Sequence, residues 1–455
     1  MSLLAAHIND AGIAVLSGER MLYREPGFAL LEDDGMITGN EALAAARLKP
    51  RRIQNHFWDQ LSTDPLPDRR FSHLSTADLV ARQLETIWRS VSNQGDRLVV
   101  AVPAYMNSDN LGLFLGIAAD VGIPVVAMVD AAVAATRREY RNAVPVHVDL
   151  SLHGATLTRL GQGGQAQAER SEVVEVSGLL ALYDAWLRGV ADAFVQQSRF
   201  DPLHTAETEQ LLLNRMNGWL RHAASSDAIE LEVEYRGIGH KVQLESLELI
   251  AMAAPVYQRI ISSLRALYRA DETPAIQLTD RAARMPGLAD MLSARVGGQV
   301  YLLEPGATAR GVLARCRDMR SESGGVSLIR SLPWDQSAIA LQAETGAGNA
   351  GSPTHVLFGD AAYPLSQAPL VLGTQSESGE RGIDLAQDMP GVSRRHCSLQ
   401  LQNAQCVVED HSRYGTFLNG HKIDGSAVLA IGDQLRIGTP GFELRLITVE
   451  GGDGT

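Results

Sequence analysis

Regular alternation of apolar and polar residues near the C-terminus constrains the fold more than any other feature of this chain. In "CSLQLQ" (397–402) the apolar residues are Cys397, Leu399 and Leu401, and in "FELRLITV" (442–449) Phe442, Leu444 and Leu446 alternate with polar residues. A period of two is typical of β-strands that bury one face. Further short apolar runs surround them, and Asn419-Gly420 is a hairpin signal. The pattern predicts a β-sandwich over residues 354–450, with a short tail at 451–455.

A glycine-rich segment precedes this region. Residues 343–353 ("AETGAGNAGSP") are small and polar and have no hydrophobic period, which is typical of a flexible linker. The chain has 455 residues, more than one hydrophobic core usually organises. We therefore expect one domain at 1–342, the linker at 343–353 and the sandwich after it.

Strands and helices alternate in the N-terminal region. Ser75 and Asp78 form a capping-box sequence before an amphipathic helical pattern. The run "RLVVAVP" (97–103) resembles a strand buried on both faces, and a helix, "PVVAMVD", a helix and "VPVHVDL" follow it. This order predicts an α/β layer structure with a partly parallel sheet. Two similar hairpins, with Asp10 and Asp149 at their tips, indicate a duplicated architecture.

The segment "VVAVPAYMNSDNLGLFLGIAADVGIPVVAMVDAAVAA" (99–135) resembles part of the ATPase domain of DnaK-type heat-shock chaperones, in the actin-like ATPase superfamily. The segments "GNEALAAARLKPRRIQNHF", "VDLSLHGAT" and "TDRAARMPGLADML" follow the same family order, and the resemblance is clearest over residues 1–318. It implies a two-lobed α/β actin-like ATPase fold for residues 1–342.

The resemblance also implies a site for ATP and magnesium. In that family two glycine-rich hairpins enclose the phosphates, and a Gly-Gly turn holds the adenosine. Asp10 and Asp149 match the aspartates that hold magnesium through water, and Asp130 stands where the family has glutamate. These three residues are the candidates for a residual nucleotide and magnesium site.

Several family features are missing from this chain. The first hairpin has only Ala11-Gly12 after its aspartate, and Thr279-Asp280 replaces the Gly-Gly turn. Backbone N–H groups enclose phosphate most readily where no Cβ blocks their approach. The family's catalytic lysine has no counterpart in "RRIQNHFWDQL". We therefore expect a pseudo-ATPase with no catalytic residues and no bound cofactor; the alternative is an ATP-binding, chaperone-like ATPase.

The motifs "GVSRRHCSL", "DHSRYGTFLNG" and "IGDQLRIG" of the C-terminal region resemble those of the forkhead-associated (FHA) domain, a reader of phosphothreonine peptides. The resemblance implies that Ser393 donates to phosphate and that His396 braces its loop from behind. It gives structural roles to Gly373, Gly415 and Asn419.

Two positions depart from the FHA pattern. Thr374 replaces an arginine that would contact phosphate, and Tyr414 replaces an asparagine. Other basic side chains in or near the same turns are Arg381, Arg394, Arg395 and Arg413. A positive cluster in an acidic domain suits a phosphate. Arg381, Arg394 and Arg413, with Thr374 and Tyr414, complete the predicted peptide site. Two alternatives remain: the arginines are solvated loop residues, or Tyr414 closes a surface that binds protein without phosphate.

Composition excludes several other functions. The net charge of -13 disfavours nucleic acid and anionic membranes as partners. The segment 111–135 is interrupted by charged residues and a Gly-Ile-Pro, so no membrane insertion is expected. Three cysteines without metal spacing, and an N-terminus unlike a signal peptide, predict a cytoplasmic protein. His147 and His153 have no regularly spaced partners, so no metal site is predicted.

These patterns together predict an adaptor or scaffold. Its FHA domain would bind a protein partner, with or without phosphothreonine, and its N-terminal domain would offer a second interaction surface. Another chaperone-like protein is one candidate partner. The alternative is a chaperone-like ATPase whose FHA domain selects clients.

Overall fold

A computed structural model describes residues 2–223, 226–316, 326–335, 353–358, 361–375, 381–385, 391–402, 405–413, 415–418, 421–429, 433–437 and 442–447. Of the predicted linker only Pro353 is among them, and the predicted tail 451–455 lies outside them, as do the candidate site residues Tyr414 and Asn419.

The N-terminal region mixes strands and helices. Its strands are β1 (Leu3–His7), β2 (Ile13–Ser17), β3 (Arg20–Glu25), β4 (Ala29–Glu32), β5 (Gly35–Thr38), β6 (Ile53–Gln54), β7 (Arg97–Val102), β8 (Val125–Asp130), β9 (Val144–Leu150), β10 (Gly154–Gly161), β11 (Gln165–Glu175), β12 (Ala228–Tyr235), β13 (Ile238–Glu245), β14 (Pro274–Leu278), β15 (Gln299–Leu302), β16 (Leu328–Ile329) and β17 (Ser331–Pro333). Its helices are α1 (Asn40–Leu43), α2 (Thr76–Val91), α3 (Ser108–Asp120), α4 (Ala131–Ala135), α5 (Leu179–Ser198), α6 (Ala206–Ala223), α7 (Ser246–Arg265), α8 (Asp280–Ala283), α9 (Leu288–Val296) and α10 (Ala307–Arg315), with a 3-10 turn at Pro50–Arg52.

The local signals in this region correspond to these elements. The predicted capping box begins α2: the hydroxyl of Ser75 accepts the N–H of Asp78 at 3.3 Å, and the Asp78 carboxylate accepts the N–H of Ser75 at 2.8 Å. Such reciprocal bonds satisfy donors that a helix start leaves unpaired. The three runs predicted as strands form β7, β8 and β9. The mixed α/β prediction for this region is confirmed.

Two six-stranded sheets in this region share a pattern of five strands, and the sixth strand adds beside β8 in the first sheet and beside β11 in the second. The first has the order β16-β8-β7-β1-β2-β3, and the second has the order β15-β14-β9-β10-β11-β17. In each, three consecutive antiparallel strands come first, and two later strands add in parallel beside the first of them. An apolar cluster that includes Leu16 and Leu160 packs between the sheets. The two hairpins seen in the sequence therefore occupy equivalent places in a repeated architecture.

The C-terminal region consists of strands. They are β18 (His355–Phe358), β19 (Ala361–Pro364), β20 (Leu370–Gly373), β21 (Gly382–Asp384), β22 (Cys397–Gln402), β23 (Gln405–Asp410), β24 (Thr416–Leu418), β25 (His421–Lys422), β26 (Ser426–Leu429), β27 (Gln434–Ile437) and β28 (Phe442–Ile447). They form two sheets, β19-β18-β28-β27-β24-β25 and β21-β20-β22-β23-β26.

Alternate residues of both C-terminal sheets form one core. Leu399 on β22, Val408 on β23 and Leu444 on β28 are fully buried together. The period-two pattern thus places its apolar face inward, as predicted. No helix in the described part of the chain is long and apolar enough to span a bilayer.

Candidate functional site

The loop that contains Ser393 and Arg394 lies against the end of β20. Thr374 donates its N–H to the carbonyl of Ser393 at 3.1 Å, and Gln375 donates to the carbonyl of Arg394 at 3.2 Å. A Cβ added to Gly373 would lie 1.8 Å from the Arg394 carbonyl oxygen, so only glycine permits this approach. Backbone contacts therefore fix the loop, and Thr374 contributes through its main chain.

His396 connects this loop to the facing one. Its Nδ1 accepts the N–H of Ser393 at 3.1 Å, which leaves Nε2 to donate to the carbonyl of Gly415 at 3.2 Å. The ring is fully buried, and burial lowers the pKa of His396. A neutral imidazole with one donor and one acceptor fits both contacts. His396 thus lies behind both loops and sets the distance between them.

The facing loop, between β23 and β24, is held by its own side chains. Ser412 donates its N–H to Asp410 at 3.0 Å, and the Thr416 hydroxyl donates to the same carboxylate at 2.9 Å. Burial opposes ionisation, but these bonds outweigh it and lower the pKa of Asp410. Gly415 has a φ of +94°, a left-handed conformation that residues with a Cβ rarely adopt. Its position requires glycine.

The two loops meet at Ser393 and Arg413. The backbone N–H of Arg413 donates to the hydroxyl of Ser393 at 3.2 Å. The hydroxyl is only partly buried and still has its own proton to donate. The side chains of Arg394 and Arg413 are exposed on these two touching loops. The arrangement offers one hydroxyl donor and two guanidinium groups at one end of the sandwich, a set that suits a phosphate group.

Arg381 has different partners from those expected. Because β20 and β21 are parallel, with Val371 level with Gly382, Arg381 lies at the start of β20, roughly 10 Å along the strand from Gly373. Its guanidinium is buried and donates to Glu304 of the N-terminal region at 2.8 and 3.0 Å. The structure thus places Arg381 outside the loop pair that holds Ser393, in a contact between the two regions.

In the N-terminal region, Asp149 lies between the two sheets. Its oxygens accept hydrogen bonds from Asn9 and Thr279, both at 2.7 Å. Burial would raise the pKa of Asp149, but Arg281 and His7 nearby outweigh it and lower that pKa. These partners belong to the chain itself, so Asp149 is part of a buried polar network.

The burial of Asp10 and Asp130 is offset by fewer hydrogen bonds and opposite charges than that of Asp149. One oxygen of Asp10 accepts the N–H of Leu152 at 2.7 Å, whereas the other is buried without a hydrogen-bond partner among the described residues. Burial raises the pKa of Asp10 to about 7. Asp130 caps α4 through the N–H groups of Ala132 and Val133, and burial raises its pKa as well. A helix cap is a structural role for Asp130.

Arginines missed by the sequence interpretation occupy the space between the hairpins. Arg281 donates to the carbonyl of Gly12 at 3.0 Å and lies 3.7 Å from Asp149. Asp280 pairs with Arg24 at 2.6 Å and with Arg284 at 2.9 Å. The only sequence signal was the basic run "TDRAAR" at the predicted adenosine turn.

The C-terminal geometry defines a class of domain: a β-sandwich in which two loops meet at one end, at Ser393 and Arg413. A family model described as the FHA domain matches residues 373–438, and this segment is an FHA domain. The match implies a protein interaction through phosphopeptides. A search of curated proteins finds no match to the chain, and the N-terminal region has no family assignment.

Proposed function

We propose that this protein is an adaptor whose FHA domain binds a partner protein through a phosphorylated threonine. The observation that carries the proposal is the hydrogen bond from the Arg413 backbone N–H to the Ser393 hydroxyl, which joins the two loops that contain Arg394 and Arg413. A charge-assisted hydrogen bond to phosphate contributes about 1.5–3 kcal/mol, so two guanidinium groups compensate for the arginine that Thr374 replaces.

Matched peptides test this proposal directly. The full chain is titrated with a library of fluorescent threonine peptides, each present in a phosphorylated and an unmodified form. We expect anisotropy changes with phosphorylated peptides and weak or no binding of their unmodified partners. Equal binding of both forms would leave a protein-binding surface but remove the phosphate reader.

The N-terminal region is proposed to be a degenerate actin-like domain, related to the DnaK-type chaperone ATPases, that serves as a second interaction platform. The repeated strand order of its two sheets supports the fold. Arg281 supports the loss of catalysis, because its side chain reaches the carbonyl of Gly12 at the hairpin where the family binds phosphate.

An ATP-binding, chaperone-like ATPase with FHA-selected clients is the second candidate. It is favoured by one observation: Asp10 and Asp149 lie buried at the two hairpins, with one Asp10 oxygen unpaired among the described residues. The two candidates differ in Mg-ATP binding and turnover.

The domain boundaries and the location of the protein are also proposals. Limited proteolysis is expected to cut within 343–352 and to release an FHA fragment that stays folded; absence of a stable fragment with that boundary would contradict the two-domain organisation. A cytoplasmic location is supported by the three buried, free cysteines.

A further inference from the structure

Three side chains from two segments that are distant in the sequence meet beside the second hairpin. They are His56 and Asp59, which follow β6, and His153, in the turn between β9 and β10. One ligand atom from each lies within 4.8 Å of the others. The sequence did not link these side chains, because only sequence spacing was considered and His56 and Asp59 come from another part of the fold.

His153 is oriented as metal-binding histidines are. Its Nε2 lies 2.9 Å from the carbonyl oxygen of Asn55, so this nitrogen carries the proton and donates. The lone pair is then on Nδ1. A histidine ligand usually donates its second N–H to a carbonyl or carboxylate, which fixes the ring and the tautomer.

His56 and Asp59 add a second nitrogen and an oxygen. Nδ1 of His56 lies 3.0 Å from an oxygen of Asp59, and its ring stacks on that of His153 with centroids 3.5 Å apart. The His56 side chain is 47% exposed, so the cluster is open to solvent on that side.

One oxygen of the cluster is buried and unpaired. The second carboxylate oxygen of Asp59 has no hydrogen-bond partner among the described residues. Unpaired buried acceptors cost free energy unless a donor or a cation satisfies them. A cation bound by Asp59 would satisfy this oxygen.

We propose that His56, Asp59 and His153 bind one divalent transition-metal ion of the zinc type. Two imidazoles and a carboxylate are common ligands of zinc, and three protein ligands leave a fourth position for water. This site differs in its donors from the aspartate and ATP site implied by the chaperone resemblance. It does not depend on the phosphopeptide function.

Calorimetric titration of the chelator-treated full chain with Zn²⁺ tests the proposal. We expect one ion per chain, with affinity that falls as pH is lowered because the ligands must be deprotonated. His153→Ala and Asp59→Asn should each weaken binding by at least about tenfold. His73→Ala is the matched control, since His73 is an exposed histidine of the same region outside the cluster, and it should bind as the wild type does.

A second measurement does not depend on how the variants fold. Co²⁺ in a tetrahedral site of the zinc type absorbs visible light strongly, whereas adventitious octahedral Co²⁺ absorbs it weakly. We expect strong absorption from the wild-type protein, displaced by one equivalent of Zn²⁺. Absence of Zn²⁺ binding, weak absorption, or unchanged affinity in folded His153→Ala and Asp59→Asn would overturn the proposal and leave a hydrogen-bonded histidine stack.

Discussion

Arg381 of the FHA domain and Glu304 of the N-terminal region form a buried ion pair, with Nε and one terminal nitrogen of Arg381 at 3.0 and 2.8 Å from one carboxylate oxygen. Arg310 lies 3.5 Å from the other oxygen of Glu304. Burial would raise the pKa of Glu304, but Arg381 and then Arg310 outweigh it and lower that pKa. The two regions are therefore joined by a desolvated charge network as well as by the chain.

Removing one partner of this pair should destabilise the protein strongly. Arg381→Ala leaves Glu304 buried with less compensation, and loss of one member of a buried pair costs about 3–5 kcal/mol. Urea unfolding should show a lower midpoint for this variant. Arg295→Ala is the control, since Arg295 is exposed on α9 and its removal should change stability little. An Arg381→Ala midpoint equal to that of the control would show that the pair contributes nothing to stability.

Phosphopeptide affinity should depend on both loop arginines. We expect Arg394→Ala and Arg413→Ala each to weaken binding by about tenfold to a hundredfold, because each contact with phosphate is charge-assisted. Binding should also weaken as salt rises, since an exposed site is screened. Fluorescence anisotropy with one phosphorylated peptide measures both effects. Arg295→Ala again serves as control; equal losses in all three variants would indicate a general effect of net charge.

The stability difference between wild type and Asp10→Asn should grow with pH. The pKa of Asp10 is about 7 in the folded protein and near 3.8 without the fold. When the pKa of a carboxyl group is higher in the folded state, that group destabilises the protein progressively as pH rises from the unfolded pKa to the folded one. The variant keeps an oxygen for the N–H of Leu152 and cannot ionise. Its advantage should increase by about 1.4 kcal/mol per pH unit from pH 4 to pH 7 and then level off.

Urea unfolding of both proteins across this pH range measures that difference. Changes common to both proteins cancel, so only the titration of Asp10 remains. A difference that stays constant with pH would mean that Asp10 ionises normally in the folded protein.

ATP hydrolysis should be negligible. Arg281 lies against Gly12 and Asp149, the residues on which a phosphate and magnesium site would be built. Calorimetry with Mg-ATP and a phosphate-release assay measure binding and turnover separately. Magnesium-dependent turnover that Asp149→Ala abolishes would support the chaperone-like ATPase instead.

Local patterns predicted the elements of this fold well, because their signals lie within a few residues. The capping box at Ser75 and the alternation around Leu399 report which face of one helix or strand is buried. Motif spacing also identified the loops around Ser393 and Gly415. Contacts between distant segments could not be predicted in this way. Arg381 was included in the predicted peptide site with Ser393, but it lies at the start of β21 and donates to Glu304.

The same limit applies to the N-terminal region. Its aspartates were identified from hairpin position, whereas their partners depend on how two sheets face each other. Arg281 comes from α8 and His56 from the segment after β6, and neither has a sequence signal that links it to the hairpins. Ion pairs between distant segments can be identified only once the packing of the two sheets is known.

The position of Arg281 has a consequence for how this protein responds to its surroundings. In a protein that grips a nucleotide between two halves, the ligand supplies the charges that hold the halves closed, and its release lets them open. Here Arg281 from the second half bonds to Gly12 in the first, and Asn9 of the first bonds to Asp149 in the second. Hydrogen bonds within the chain therefore hold the two hairpins together without a ligand. We expect the N-terminal region to behave as a rigid body with no open and closed cycle, a fixed base on which the FHA domain is mounted.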